Sequence, residues 1–392
     1  MEFHTLPPLS LYIHLPWCIR KCPYCDFNSH AAPEGIPAEE YVDALLRDVE
    51  RELPGVWGRS VGTVYLGGGT PSLFPPAAIS RLLSGVRARL PLAPDAEITL
   101  EANPGTVDQE RFDAFREAGV NRLSIGVQSF EPGRLEALGR IHGRDEALAA
   151  ADAARRAGFD NLNLDLMFGL PGQTVEAALA DLDTAVGLGP GHLSVYQLTL
   201  EPNTLFHRHP PELPGEDTVA AMHDALHARL ADAGYGHYEV SAFARSDRRC
   251  RHNLNYWRFG DYVGIGAGAH GKVSRPDGIR RRWKQRHPQR YLDTAGGDAA
   301  VGGERELSGD EALFEFLLNA LRLTEGFEIE LFERHAGLPG SLLERAIVPA
   351  VDKGLLERPG ECLRPTELGR RYLDDLVGMF LPEGRERVAS SE

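Results

Sequence analysis

Between Leu9 and about Leu200, short apolar runs alternate with stretches whose apolar positions recur at helical spacing. The runs predict strands at Leu11–Leu15, Val61–Leu66, Glu97–Glu101, Arg122–Gln128, Asn161–Met167 and His192–Leu198. Helices are predicted between them, near 38–53, 76–90, 108–118, 145–157 and 174–187. Gly119, Gly158 and Gly189 fall just past three of these helices, where the left-handed cap conformation favours glycine. Strictly alternating strands and helices imply a parallel sheet, and six repeats predict an α/β fold built on a partial (β/α)6 TIM-like barrel.

Beyond residue 200 the repeat breaks, with strands expected near Tyr235–Phe243, Tyr262–Ile265 and Ile279–Trp283. Glycine and alanine crowd residues 294–303, which read as a linker. After it, 308–380 reads as helices, a small hairpin (355–364) and a last helix, the order of a winged-helix-like α+β domain. Three regions are expected: a barrel core over 1–200, a barrel-completing region over 201–297, and the C-terminal domain over 308–380.

In a (β/α) barrel, reactive groups stand at the C-terminal ends of the strands. Cys18, Cys22 and Cys25 follow the first expected strand, Gly67-Gly-Gly-Thr-Pro-Ser72 the second, Glu101 the third and Gln128 the fourth, while Asp165 lies inside the fifth. One polar rim is therefore predicted. The glycine run has neither dinucleotide-fingerprint nor P-loop spacing. After a strand and beside the cysteines, it suits close approach of backbone to a small polar ligand.

Composition narrows the class. The 392 residues carry a formal charge of −15, which argues against nucleic acid as the main partner, and the C-terminal segment has no basic recognition helix. No apolar run approaches the ~20 residues of a membrane span, and the N-terminus has no signal-peptide pattern. Five cysteines, three in one loop, form no disulfide framework and fit a reducing compartment, so a cytoplasmic location is expected.

The Cys-x3-Cys-x2-Cys spacing crowds three thiolates into one loop. A cubane iron–sulfur cluster needs four ligands, so three leave one iron open, as catalytic metal sites do. A zinc site completed by His14 or His30, or a disulfide, stays open on spacing alone.

With Tyr24 before the third cysteine, the motif resembles that of the radical S-adenosylmethionine (radical SAM) superfamily. The resemblance implies a radical SAM barrel in which Cys18, Cys22 and Cys25 hold a 4Fe–4S cluster. The open iron chelates S-adenosylmethionine, whose reductive cleavage yields a 5′-deoxyadenosyl radical. It implies that Gly68, Gly69 and Thr70 receive the cofactor's amino group. Glu101, Gln128, Arg140 and Asp165 then contact its amino acid and ribose, with Tyr12 and Tyr24 near adenine and cluster. Acceptors suit ribose hydroxyls and an ammonium, and an arginine suits a carboxylate.

A second cluster, Arg251-His-Asn-Leu-Asn-Tyr-Trp257, carries a finer resemblance. Over its whole length the chain resembles the HemW heme chaperone family, relatives of oxygen-independent coproporphyrinogen III oxidase. In that family His-Asn-x-x-Tyr-Trp is heme-associated, which implies heme contacts by His252, Asn253, Tyr256 and Trp257, with His252 on the iron. Arg245, Arg248, Arg249, Arg251 and the Arg280–Arg286 stretch are either a solvated basic face or partners for heme propionates and acidic surfaces. The oxidase has a fourth cysteine two places after the third, where this chain has Phe27, and an N-terminal extension longer than the 11 residues before Tyr12. Both differences favour a chaperone that delivers heme to respiratory enzymes. The alternatives are the oxidase itself and an interaction protein with a structural or redox cluster.

Overall fold

The computed structural model describes residues 1–382. The repeat supplies β1 (Leu9–Leu15), β2 (Val61–Gly68), β3 (Leu92–Ala102), β4 (Arg122–Gln128), β5 (Leu162–Phe168) and β6 (His192–Gln197). Then come β7 (Gly236–Glu239), β8 (Ala242–Ala244), β9 (Asp261–Ile265), β10 (His270–Arg275), β11 (Gly278–Lys284) and β12 (Val301–Glu306). All join one sheet in the order β12-β11-β10-β9-β1-β2-β3-β4-β5-β6-β8-β7. From β9 to β6 every pairing is parallel. At both ends the pairings are antiparallel.

The strands are two-faced. Parallel register aligns Ser10 with Thr63 and Glu97, then Tyr12 with Tyr65, Thr99 and Arg122. Further along, Glu101 aligns with Ser124, Asn163 and His192, and Asp165 with Ser194. Side chains aligned across a sheet share a face, so one face is polar. The intervening Leu11, Ile13, Val64, Leu66, Leu100, Leu123, Ile125 and Leu164 form the apolar face. Helices over 38–56, 76–87, 109–117, 144–156 and 175–187 cover it with Leu45, Leu82, Phe112, Ala151 and Leu182.

The glycine-rich stretch expected to be a linker ends inside the sheet, where Val301 and Gly303 pair with Lys284 and Trp283. A Cβ on Gly303 would meet the Trp283 ring at 2.2 Å, so this glycine serves close packing rather than chain freedom. The C-terminal domain has helices over 309–320, 329–336 and 340–352 and three short strands in the order 327–328, 362–365, 356–357. Ser308 and Glu311 form a capping box at its first helix, through Glu311 N to Ser308 Oγ at 3.2 Å and Ser308 N to Glu311 Oε2 at 2.9 Å. Its core, around Phe316, Phe332, Leu343 and Ile347, takes in Phe259 and Ile279 from the barrel side. A bridge from Glu239 to Leu323 meets edge strand β7.

The β9 and β10 strands are locked together by a buried ion pair. Asp261, fully buried, accepts from Lys272 Nζ at 3.0 Å, Ser274 Oγ at 2.8 Å and Ser274 N at 2.9 Å, with Arg59 Nη1 at 2.8 Å. Lys272 Nζ also donates to Phe259 O at 2.7 Å. Removing one partner of such a pair strands the other charge, which costs about 3–5 kcal/mol. Asp261→Ala is expected to lose that much in urea unfolding, and a loss below about 1 kcal/mol would refute the lock.

Candidate functional site

The cysteine loop is held by backbone bonds at both ends. Trp17–Cys18 pairs in parallel with His30–Ala31. His30 N donates to Pro16 O at 2.7 Å and Ala32 N to Cys18 O at 2.8 Å. Asn28 Nδ2 reaches Ala267 O at 2.9 Å and Arg286 O at 2.8 Å, tying the loop to the segments after β9 and β11. The three cysteines are free and half-buried, and all face one cavity of about 450 Å³. Burial pushes the Cys18 and Cys25 thiols up. Arg140 Nη1 approaches Cys22 Sγ at 3.8 Å and supplies a cation beside the sulfurs. Of the two histidines open to a zinc site, His14 is buried, with Nδ1 on the Tyr12 hydroxyl at 2.9 Å and Nε2 on Asn28 O at 3.0 Å, and half-buried His30 meets Asn28 Oδ1 through Nε2 at 3.3 Å.

The glycine turn after β2 lies against this loop. Gly69 N donates to Leu15 O and Thr70 N to Trp17 O, both at 2.8 Å. Gly68 has φ 112°, and a Cβ there would meet the His14 ring at 2.4 Å. On Gly69 it would meet the Trp17 carbonyl at 2.6 Å. Only glycine permits so close a crossing.

Gly68, Gly69, Thr70, Glu101, Gln128, Arg140 and Asp165 line the same cavity, with Tyr24 at its cysteine end. Gln128, at the end of β4, has φ 69°, uncommon for a residue with a side chain and typical of functional positions. Arg140 is aimed by Nη2 on Gly126 O at 2.6 Å. Asp165 accepts from Asn163 Nδ2 at 2.7 Å and Ser124 Oγ at 3.2 Å, and burial pushes its carboxyl up. Glu101 Oε1 accepts from Tyr65 OH at 2.8 Å and Oε2 from Gly68 N at 3.1 Å. Burial, opposed by those donors, pushes Glu101 up to about 7. Tyr12 differs from expectation: it is not among the lining residues, because its hydroxyl is engaged by His14 and its ring lies 6.3 Å from Tyr65. Tyr65, Ser124, Met167 and Tyr196 line the cavity unforeseen, though polar and apolar alternation along β2, β4 and β6 marked Tyr65, Ser124 and Tyr196 as facing inward.

Three thiols around one end of a cavity, and acceptors, an arginine and open glycine backbone along the rest, fit a cluster and a cofactor bearing an amino acid and a ribose.

The His-Asn-x-x-Tyr-Trp segment forms a short helix, Arg251–Trp257, at the opposite, N-terminal end of the strands. Glu97 caps it, with Oε1 accepting from His252 N at 3.0 Å and Oε2 from Arg251 N at 3.2 Å. His252 is 1% exposed; Nδ1 meets Thr63 Oγ1 at 2.7 Å and Nε2 the Tyr256 hydroxyl at 3.0 Å. Both ring nitrogens of His252 are thus engaged within the protein. Asn253, Tyr256 and Trp257 are half-buried, and Arg322 lies 4.3 Å over the Trp257 ring. The basic stretch is largely paired: Arg249 with Glu325, Arg251 with Asp95, Arg280 with Glu306, Arg281 with Glu315 and Arg282 with Glu52 and Glu304. Cys250 is fully buried near Glu97.

Two family models match the chain: the radical SAM superfamily over residues 12–185 and the HemN C-terminal domain over 307–372. Among curated relatives, the heme chaperone HemW of Escherichia coli is 50% identical, covering 96% of this chain and 99% of its own. The heme chaperones HemW of Mycobacterium tuberculosis and Bacillus subtilis are 37% and 33% identical, each over 95% of this chain. The chain belongs to the HemW heme chaperone family. Among solved structures, the radical SAM coproporphyrinogen III oxidase of Escherichia coli matches this HemW family chain with a TM-score of 0.81 at 25% identity, covering 96% of this chain and 90% of its own.

The Glu101 environment of this HemW family member predicts a pH signature. Its folded-state value near 7 lies above the ordinary 4.5, so ionising it opposes folding. The penalty is absent below pH 4.5 and complete above about 7. Glu101→Gln keeps an acceptor for Tyr65 without the charge. It is expected to raise the stability of the metal-free protein at pH 8 by up to about 3 kcal/mol, with the gain vanishing toward pH 4.5. A gain independent of pH in parallel melts would refute a strained carboxylate.

Proposed function

We propose that this protein is a cytoplasmic heme chaperone on a radical SAM barrel, carrying heme as cargo to heme-requiring respiratory enzymes. The observation that supports it most is the convergence of three unpaired cysteines and the Gly68–Thr70, Glu101, Gln128, Arg140 and Asp165 set on one cavity. In this reading Cys18, Cys22 and Cys25 hold a 4Fe–4S cluster, which supplies an open iron and one electron to S-adenosylmethionine. Gly68, Gly69 and Thr70 take the cofactor's amino group, Arg140 its carboxylate, and Glu101, Gln128 and Asp165 its remaining polar groups. The heme role comes from the HemW relatives, whose names state it. Phe27, 60% exposed on the cysteine loop, stands where the oxidase has its fourth cysteine. Among the described residues no helix is long and apolar enough to cross a membrane.

The test uses protein reconstituted anaerobically with iron and sulfide. It is expected to show a 4Fe–4S spectrum perturbed by S-adenosylmethionine, to bind heme with a Soret band, and to pass that heme to a heme-free respiratory enzyme. Cys18→Ala, Cys22→Ala and Cys25→Ala are each expected to abolish the normal cluster spectrum, and full retention would refute the ligand assignment. Incubation with coproporphyrinogen III, reductant and S-adenosylmethionine is expected to give no protoporphyrinogen. Product formation would replace the chaperone reading with the oxidase.

A further inference from the structure

The proposed cofactor pocket lies at the C-terminal ends of the strands and the Arg251–Trp257 helix at their N-terminal ends, yet one side chain touches both. Tyr65, inward on β2, donates its hydroxyl to Glu101 Oε1 at 2.8 Å, and its ring stacks on His252 with centroids 4.9 Å apart and planes at 28°. Tyr12 also stacks near it, at 6.3 Å and 26°. A ring stacked on His252 and neighboured by Tyr12 has little freedom to tilt, so its hydroxyl has little freedom to leave Glu101.

His252 is just as constrained. Thr63, two residues before Tyr65 on the same strand, engages Nδ1, and Ser10 Oγ meets Thr63 Oγ1 at 2.7 Å. Tyr256 engages Nε2, and Glu97 holds the backbone. Glu101 has two donors, Tyr65 and Gly68 N. The Tyr65 hydroxyl thus fixes the carboxylate oxygen that Gly68 does not.

We infer that Tyr65 is a positioning residue through which the His252 helix holds Glu101 in its cofactor-binding orientation. The proposal rests on Glu101 contacting S-adenosylmethionine, and it gives His252 a role distinct from iron ligation. The Arg251–Trp257 helix becomes a plug whose seating sets cofactor affinity from the far end of the barrel. By linkage, whatever displaces the helix weakens the cofactor, and the bound cofactor opposes its displacement.

The test is a double-mutant cycle on the anaerobically reconstituted holoprotein. It reads S-adenosylmethionine affinity by equilibrium dialysis and by the change in the reduced-cluster EPR signal. Tyr65→Phe keeps the ring and its stacking but removes a hydrogen bond to a charged group, a loss of about tenfold in affinity. Iron content and heme titration are expected to stay at wild-type values. His252→Ala is expected to weaken the cofactor in the wild-type background and by less than about twofold in the Tyr65→Phe background, because contacting residues acting through one path are non-additive. Thr63→Val, which frees the His252 ring without removing it, replaces His252→Ala if that variant does not fold.

A pH profile separates positioning from general loosening. The Tyr65 hydroxyl favours the Glu101 carboxylate, while Asp165, which disfavours it, and Gly68 N, which favours it, are unchanged in Tyr65→Phe. The pH below which cofactor affinity falls is therefore expected to move upward in that variant. Wild-type affinity in Tyr65→Phe alongside weakened Glu101→Ala overturns the proposal and leaves the pocket assignment intact. Wild-type affinity in Glu101→Ala overturns both. Full additivity of Tyr65→Phe and His252→Ala also overturns the link.

Discussion

The buried polar face of the parallel strands imposes the constraint on which the rest of the structure depends. Parallel strands covered on both sides usually read as continuous apolar runs. Here β1 to β6 place carboxylates, hydroxyls, an arginine and a histidine on one face, where desolvated groups need partners. The lining therefore binds to itself. Glu97 takes two amide N–H groups of the Arg251–Trp257 helix, and Asn163 serves Asp165, Ser124 and His192. Tyr238, on β7, closes the set by meeting the other nitrogen of His192 at 2.7 Å. The short antiparallel strands at the sheet's end thus complete the network as well as the edge.

The same constraint explains why the cavity sits where it does. Toward the N-terminal ends of the strands most polar groups find partners on the same face, although Thr99 Oγ1 and Arg122 Nε are buried without a hydrogen-bond partner. Toward the C-terminal ends, glycines replace side chains at Gly67, Gly68, Gly69 and Gly126, and the lining opens. A Cβ on Gly67 would lie 3.1 Å from Glu101 Oε2, and one on Gly126 would lie 3.0 Å from Gln128 Nε2. Backbone and acceptors are left facing space rather than partners. That is the condition for binding a polar cofactor, and burial of Glu101 at its edge pushes that carboxyl up.

The six-strand repeat was legible because helix and strand periods differ, and its predicted strand starts lie within five residues of the observed ones. The cysteine loop and glycine turn were legible because their spacing is chemically restrictive. For Tyr12 the motif gives a position on a strand, whereas the hydrogen bond of its hydroxyl to His14 decides what it faces. Residues 294–303 were misread because glycine has two uses, and composition does not tell chain freedom from packing under Trp283. A lone aromatic between Val64 and Leu66 reads as core, although the alternation from Thr63 sets Tyr65 on the polar face, in register with Tyr12 and Thr99.

His252 shows how far a motif can be carried. Its residue type suits an iron, but ligation requires a nitrogen with nothing better to do. In this packing, freeing Nε2 breaks the bond to Tyr256, and freeing Nδ1 breaks the bond to Thr63, which also serves Ser10. Leaving a buried polar group unpartnered costs about 1–3 kcal/mol, and moving the ring also removes the face on which Tyr65 stacks. Iron ligation at this position therefore carries the free energy of breaking those contacts. A heme site elsewhere on the protein carries no such penalty. The motif names a residue type suited to iron; the packing adds the network that such ligation would have to displace.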